Sequence, residues 1–158
     1  MITGAAPLDD EVKDFFKVAM GCPMLEAYDG HLTSGLDPRN GQVGGIAVCL
    51  DCKLVDVPEM NYLATDENPR GEICVRGPPI IKDYYKNEAK TKEAIDEDGW
   101  LHTGDIGMIL PTGGFKVIDR KKNIFKLQQG EYVAPEKVEN IYVKFPYISG
   151  AFVHGDSL

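Results

Sequence analysis

The chain has 158 residues, of which 43% are hydrophobic and 27% charged, a composition within the range of a globular domain that can bury a core. Its formal net charge of −8 at pH 7 argues against general binding to nucleic acid or anionic membranes by long-range attraction, so any phosphate site must be local. No window approaches the roughly 18–20 apolar residues of a membrane span, and the N-terminus lacks a signal-peptide pattern, so we expect a soluble, intracellular chain.

The first predicted element is a helix, because apolar residues recur at helical spacing between Leu8 and Ala19. The acidic residues Asp9–Glu11 favour its N-terminal end, and Gly21 is a plausible stop. Phe15 and Phe16 in this helix are predicted to be core residues. The pattern that follows, from Pro23 to Tyr28, predicts a buried strand that leads into a turn.

From Ile46 onward the pattern is rich in β-strands, separated by proline-containing turns. Predicted strands cover Val48–Val57, Gly71–Gly77 and Asp105–Leu110, and the alternation after Gly114 predicts a hairpin with the last of them. These strands should form a small curled sheet or barrel. Cys49 and Cys52 lie in the first stretch, but without a second pair at zinc spacing they favour a reduced, structural role over a metal or redox role.

Two further helices are predicted from their N-terminal residues. Asn87 is a good cap for a helix that contains Ala89 and Ala94. Pro135 opens the last helix, and residues 151–154 then predict the start of another strand.

The segment with the clearest chemistry runs from Asp98 to Gly107, with the sequence Asp-Gly-Trp-Leu-His-Thr-Gly-Asp-Ile-Gly. Glycines next to Thr103 and Asp105 predict a polar loop built to hold a ligand. An ionised aspartate only accepts hydrogen bonds, so Asp105 can take two from a vicinal diol such as a ribose. Taken alone, Asp105 is more simply an aspartate that ends a strand, and the nearby cations of residues 120–126 more simply a solvated face.

Three ordered motifs resemble the adenylate-forming enzymes, and within them the long-chain fatty acyl-coenzyme A synthetases. They are residues 98–107, the run Ile-Asp-Arg-Lys-Lys-Asn-Ile-Phe-Lys from Ile118, and Gly-Glu-Tyr-Val-Ala-Pro-Glu-Lys-Val-Glu from Gly130. The resemblance implies a mixed α+β fold. Residues 1–118 would be the C-terminal part of the large AMP-binding domain, with a parallel strand–helix piece and a small barrel-like subdomain. Residues 119–122 would be a hinge, and residues 123–158 the start of a small α+β domain.

The resemblance also implies roles for individual residues in a nucleotide site. Asp105 would bind the ribose hydroxyls of ATP and of the acyl-adenylate, and Arg120 would contact the nucleotide. A loop of small residues would lie against the adenine, although an ordinary turn before a helix explains it as well from the residues alone. This site would comprise Gly4, Ala5, Ala6, Pro7, Tyr28, Asp105 and Arg120.

A second group of residues is implied for the later step of the reaction. Lys122 would be the hinge about which the small domain turns, and Lys126 the catalytic lysine for thioester formation. Gln128 and Gly130 would face the tunnel that holds coenzyme A.

The chain departs from the family after Tyr28. Relatives carry Tyr-Gly-x-Thr-Glu there, with the threonine at phosphate and the glutamate at magnesium, whereas this chain reads Tyr-Asp-Gly-His-Leu-Thr and reaches Gly41 sooner. Thr33 is not assumed to replace the family threonine. Asp29 and Asp37 are weak candidates for a cation, so no metal ligand is assigned.

The implied function is that of an ATP- and magnesium-dependent long-chain fatty-acid:CoA ligase, which forms an acyl-adenylate that coenzyme A then converts to acyl-CoA. The family's phosphate loop and C-terminal catalytic lysine are missing, so we expect a fragment that is inactive alone. The alternative is a catalytically dead remnant that acts through a partner. Nucleic-acid binding is not expected, because Phe115 and Phe125 are more simply core residues than stacking platforms. Full-length relatives often associate with endoplasmic reticulum or peroxisomal membranes.

Overall fold

A computed structural model describes residues 1–4, 8–33 and 40–156. The described strands form two four-stranded sheets and one two-stranded sheet, and three α-helices accompany them. The first sheet contains β1 (Ile2–Gly4), β2 (Leu25–Tyr28), β3 (His31–Leu32) and β4 (Gly45–Ile46). The second contains β5 (Asp51–Val55), β6 (Arg70–Arg76), β7 (Leu101–Ile109) and β8 (Phe115–Arg120), and the third β9 (Phe125–Lys126) and β10 (Tyr132–Val133). The helices are α1 (Asp10–Met20), α2 (Glu88–Ala94) and α3 (Pro135–Tyr142).

Helix α1 joins the parallel strands β1 and β2, and its ends are those the sequence predicts. The Asp9 side chain accepts a hydrogen bond from the backbone N–H of Glu11 at 2.9 Å, which caps the N-terminus. Gly21 ends the helix in the left-handed region, with φ 59°.

The prediction that the α1 aromatics are core residues is wrong. Phe15 is 65% exposed and Phe16 37% exposed, while Lys13 is the buried residue of the helix. The Lys13 ammonium lies 2.9 Å from the Glu26 carboxylate and 2.7 Å from that of Asp10. The inward position of the helix is therefore held by an ion pair with β2, while both phenyl rings remain exposed.

The second sheet is antiparallel throughout, with the strand order β5-β6-β7-β8. Its centre contains fully buried apolar side chains, among them Ile73, Val75 and Ile106, with Val57 from the loop after β5. The mixed α+β class is thus confirmed. The predicted curled sheet is present as an open sheet, because β5 and β8 form its two edges among the described strands. The first predicted strand begins at Asp51 rather than Val48, which lies exposed in the preceding loop.

The chain after β8 adds a short hairpin and a helix, and Ile124 and Tyr132 from this segment pack against Val57 and Ile106 of the core. Strands β9 and β10 pair as an antiparallel hairpin, and α3 begins at Pro135 as predicted. The predicted strand at residues 151–154 is wrong, because that segment is irregular and pairs with none of the described strands. In the described part of the chain, no helix has both the length and the apolar character that crossing a bilayer would require.

Candidate functional site

Asp105 lies at the junction between the two larger sheets. Its carboxylate, largely buried, accepts a 2.6 Å hydrogen bond from the Tyr28 hydroxyl to Oδ2. The Arg120 Nε lies 3.5 Å from Oδ1. Tyr28 ends β2, Asp105 is in β7, and Arg120 ends β8, so three strands from two sheets converge on one carboxylate. The structure therefore brings together three of the residues predicted for the nucleotide site.

The segment around Asp105 is part of a strand and not the loop that the sequence predicts. β7 covers residues 101–109, and Gly104 interrupts its regularity with φ 73°. The Thr103 hydroxyl donates to the Ile73 carbonyl at 2.8 Å and accepts from the Asp105 N–H at 3.1 Å. Thr103 thus orients the backbone of Asp105, and its hydroxyl is used for that purpose.

The surroundings of Tyr28 keep its hydroxyl protonated. Burial and the neighbouring Asp105 carboxylate raise the pKa of Tyr28 far above its ordinary value, so the hydroxyl remains a donor at neutral pH. The pKa of Asp29 is raised by burial and by the charge of Asp105. A carboxylate offers about four acceptor positions, so Asp105 retains capacity for further hydroxyl donors beside Tyr28 and Arg120.

Gly4 and Tyr28 lie at the same edge of the first sheet. They end β1 and β2, which run parallel with Gly4 opposite Ala27. A Cβ at Gly4 would lie only 2.9 Å from the Ala27 carbonyl oxygen, so the close approach of the strands requires glycine. Ligands of α/β sheets bind at the carboxyl ends of parallel strands, which is the edge formed here. Ala5, Ala6 and Pro7 follow directly but lie outside the described residues.

The residues predicted for the later step lie after β8. Lys122 is exposed in the turn that connects β8 to β9. Lys126 is exposed on β9, with its Nζ 5.4 Å from the Tyr132 ring centre. Gln128 and Gly130 are exposed in the turn of the β9–β10 hairpin, where Gly130 has φ 91°. The structure thus places Lys126, Gln128 and Gly130 on the β9–β10 hairpin and Lys122 in the turn before it.

The turn after Tyr28 is organised by a histidine that sequence reasoning left without a role. His31 is fully buried, with Nδ1 3.2 Å from the Tyr28 carbonyl oxygen and its ring 4.6 Å from the Phe115 ring in an edge-to-face contact. Burial lowers the pKa of His31, so it is neutral in the fold. In the sequence, the only sign of a supporting role for His31 is its position shortly after Tyr28, in a segment rich in glycine.

The described residues around this turn contain no preformed cluster of metal ligands. Thr33 is buried, and its hydroxyl accepts a 2.7 Å hydrogen bond from the Glu26 N–H, so it serves the backbone of β2. Across residues 1–4, 8–33 and 40–156, no group of three or more His, Cys, Asp or Glu side chains has an arrangement that could hold a metal ion. Asp37 lies outside the described residues.

The cysteines are free thiols and their environments differ. Cys49 is exposed, whereas burial raises the pKa of Cys52 to about 11 and that of Cys74 to about 12. The two buried thiols are therefore protonated at neutral pH and are poor nucleophiles.

Comparison with known proteins identifies the family to which this chain belongs. The model of the AMP-binding enzyme family matches residues 1–85, and the chain belongs to this family of AMP-binding enzymes. Within it, the chain is 54% identical to the peroxisomal long chain acyl-CoA synthetase 7 of Arabidopsis thaliana and 52% identical to human long-chain-fatty-acid–CoA ligase 1. These alignments cover 99% and 100% of the chain but only 24% and 23% of the relatives, so the chain spans about a quarter of their length. The resemblance stated from the motifs is confirmed.

Solved structures agree with the fold. The adenylation domain of a carboxylic acid reductase from Segniliparus rugosus, solved in complex with AMP and a co-purified carboxylic acid, is 33% identical with a TM-score of 0.80. It is matched over 99% of this chain and 25% of its own. O-succinylbenzoate coenzyme A synthetase from Bacillus subtilis has a TM-score of 0.82 at 21% identity, a likeness of fold alone. The alignments with the Arabidopsis synthetase and with human ligase 1 each extend over 165 residues, whereas this chain has 158. These two relatives therefore carry residues that have no counterpart in this chain.

Proposed function

We propose that this chain carries the adenosine-binding part of a long-chain fatty-acid:CoA ligase. The observation that supports the proposal best is the convergence of Tyr28 and Arg120 on the buried carboxylate of Asp105. Asp105 would accept hydrogen bonds from the ribose hydroxyls, and the edge formed by Gly4 and Tyr28 would receive the adenine. Arg120, whose side chain is half exposed, would contact the nucleotide from the side opposite Tyr28.

The reaction of the whole enzyme would join a fatty acid and ATP into an acyl-adenylate with release of pyrophosphate, after which coenzyme A displaces AMP. We place the domain border at residues 119–122, with Lys122 as the hinge and Lys126 serving the thioester step. Gln128 and Gly130 would face coenzyme A. We assign no step to magnesium within this chain, because the Thr33 hydroxyl is bonded to β2 and the described residues form no metal cluster.

Affinity for AMP should be weak, because most phosphate-binding groups of the family have no counterpart here. A hydrogen bond to a charged group contributes about 1.5–3 kcal/mol, and Asp105 would make about two with a ribose. Association also loses several kcal/mol of translational and rotational freedom. A dissociation constant of roughly 1 mM or weaker follows.

The test is an NMR titration of the 158-residue chain with AMP. Asp105→Ala should abolish binding, and Lys126→Ala should leave it unchanged because that residue acts later. Asp98→Ala is the matched control, since it also removes a carboxylate, from an exposed side chain in the turn before β7. Asp105→Asn, which retains one acceptor oxygen for Tyr28, separates loss of the ribose contact from loss of the fold. Equal shifts in wild type and Asp105→Ala would contradict the assignment.

A second measurement concerns the chemistry. Incubation of these 158 residues with palmitate, ATP, magnesium and coenzyme A should give no palmitoyl-CoA detectable by mass spectrometry, because the family's phosphate loop, intact motif after Tyr28 and terminal lysine are not among them. Turnover above a heat-treated control would show that the chain is active without them.

A further inference from the structure

We propose that Glu72 is a positioning residue for Asp105. It would hold the backbone bulge that places Asp105 and tie that bulge to the segment that begins the proposed hinge. The inference rests on the proposed function, in which Asp105 accepts the ribose hydroxyls.

Glu72 is a buried carboxylate in the middle of β6, with its side chain 9% exposed. Burial of a carboxylate is unfavourable unless donors surround it. Two donors, the Gly104 N–H and the Lys121 ammonium, face it here, and a ring nitrogen of His102 lies beside it. The Gly104 N–H donates to Oε1 at 3.2 Å, and the Lys121 ammonium and His102 Nδ1 each lie 3.5 Å from Oε2.

The first of these contacts lies where the sheet is irregular. Glu72 pairs with Ile106 and Cys74 with His102, so residues 103–105 of β7 lie opposite the single residue Ile73. Residues in such a bulge lose ladder hydrogen bonds. Gly104, with φ 73°, instead donates its N–H to the Glu72 side chain and accepts from the Lys121 N–H at 2.8 Å.

Both backbone groups of Gly104 are therefore held by one small assembly. Glu72 binds the N–H, the Lys121 backbone binds the carbonyl, and the Lys121 ammonium returns to Glu72. Asp105 is the next residue in the chain, and its carboxylate makes a bond of 2.6 Å that tolerates little displacement. Lys121 also follows Arg120 directly, so the same assembly holds the backbone next to both Asp105 and Arg120.

Stability alone does not explain a carboxylate at this position. The following residues of β6, Ile73, Cys74 and Val75, are fully buried, and an apolar side chain would suit such a core. Buried ion pairs often give no more stability than apolar residues of the same size. What Glu72 provides and an apolar residue cannot is an acceptor for Gly104 and a partner for Lys121.

The test uses Glu72→Ala and Glu72→Gln in the 158-residue chain. Glutamine keeps an acceptor oxygen for Gly104 but loses the charge that pairs with Lys121. Lys121→Ala removes the pair and leaves the Gly104 acceptor, so it remains informative if Glu72→Ala does not fold. Glu88→Ala is the matched control, because it removes an exposed carboxylate that pairs with a lysine.

The first readout is hydrogen exchange at the Gly104 amide, with the Val75 amide as internal reference. Loss of a hydrogen bond to a charged group should make Gly104 exchange about tenfold faster in Glu72→Ala. Glu72→Gln should change it much less, and Glu88→Ala should not change it. An unchanged Gly104 rate in Glu72→Ala overturns the proposal, whether or not the chain binds AMP.

The second readout is the ratio of affinities for AMP and 2′,3′-dideoxy-AMP, measured by NMR titration. Wild type should prefer AMP by about tenfold or more, because only AMP offers hydroxyls to Asp105. In Glu72→Ala the ratio should fall towards one, and in Glu72→Gln it should be largely retained. A merely structural role would weaken both ligands equally, and an unchanged ratio overturns the proposal. If the wild-type chain binds AMP and 2′,3′-dideoxy-AMP equally, the proposed ribose contact of Asp105 is wrong. Hydrogen exchange at the Gly104 amide would still decide whether Glu72 holds the bulge.

Discussion

The Tyr28–Asp105 hydrogen bond can be removed by deleting a single oxygen atom. Tyr28→Phe keeps the ring, whose centre lies 5.9 Å from that of His31, and removes the hydroxyl that donates to Asp105. At 2.6 Å the bond has the length of a charge-assisted O–H···O⁻ contact. Bonds to charged groups contribute about 1.5–3 kcal/mol. Asp105 keeps its Arg120 partner, so we expect a loss near the lower end, about 1.5–2 kcal/mol.

Urea denaturation measures this loss. With a denaturant slope of about 1–3 kcal/mol per molar, the midpoint should fall by roughly 0.5–2 M. The pKa of Tyr28 is raised in the fold, so the stabilising effect of its proton is fully present below the unfolded value near 10 and is lost only as pH rises above it. The difference between wild type and variant should therefore be constant from neutral pH to about pH 9.

Tyr85→Phe is the matched control, since Tyr85 is 84% exposed and its substitution should change stability by less than about 0.5 kcal/mol. A double-mutant cycle with Asp105→Asn assigns the energy to the pair, because contacting residues deviate from additivity. Equal losses in Tyr28→Phe and Tyr85→Phe, or full additivity in the cycle, would show that the bond does not form in solution. The site would then not be assembled from the two sheets as described.

The remaining predictions concern ionisation and local stability. Asp29→Asn should raise the unfolding free energy at pH 7, because the raised pKa of Asp29 makes its charged form unfavourable in the fold. This gain in stability should disappear as pH falls through the raised pKa to the ordinary value of 3.8. An equal gain at pH 7 and pH 4 would contradict the prediction. The pKa of His31 is lowered in the fold, so the unfolding free energy should fall as pH drops from 6.5 through the folded pKa. In His31→Gln the urea midpoint should therefore change less between pH 7 and pH 5 than it does in wild type. Substitution of the exposed His154 by Gln should leave that change as in wild type. Hydrogen exchange should show strong protection in β5–β8 and weak protection in α1, and uniform protection of both would contradict the packing described above.

Local signals in the sequence predicted most element ends correctly. The acidic N-terminal end at Asp9–Glu11, the stop at Gly21 and the start at Pro135 depend on residues within one turn of the helix. The Asn87 side chain likewise accepts from the Lys90 N–H at 3.0 Å, as its type and position predict. Such features need no tertiary partner, so the residues alone are sufficient.

Features that depend on distant parts of the chain were not predictable in the same way. Periodicity identified the apolar positions of α1, but the exposure of Phe15 depends on which elements lie beside the helix. The sequence pattern placed Glu72 in a strand without a special role, because its contact with Gly104 arises from a bulge between strands that are far apart in sequence. Tyr28 was a candidate only through the family resemblance, and its direct bond with Asp105 follows from the way the two sheets meet.

The place where the two sheets meet links the order of the first sheet to the proposed nucleotide site. The Val43 N–H donates to the Phe115 carbonyl at 2.8 Å, and the Phe115 N–H donates to the Gly44 carbonyl at 2.9 Å. His31 contacts the same Phe115 ring, and Tyr28 reaches Asp105 from the same side of the first sheet. The second sheet has its own buried core, whereas α1 leaves apolar side chains exposed. A change that loosens the first sheet should therefore remove Tyr28 from Asp105 while the second sheet remains folded, so we expect the proposed nucleotide binding to be lost before the second sheet unfolds.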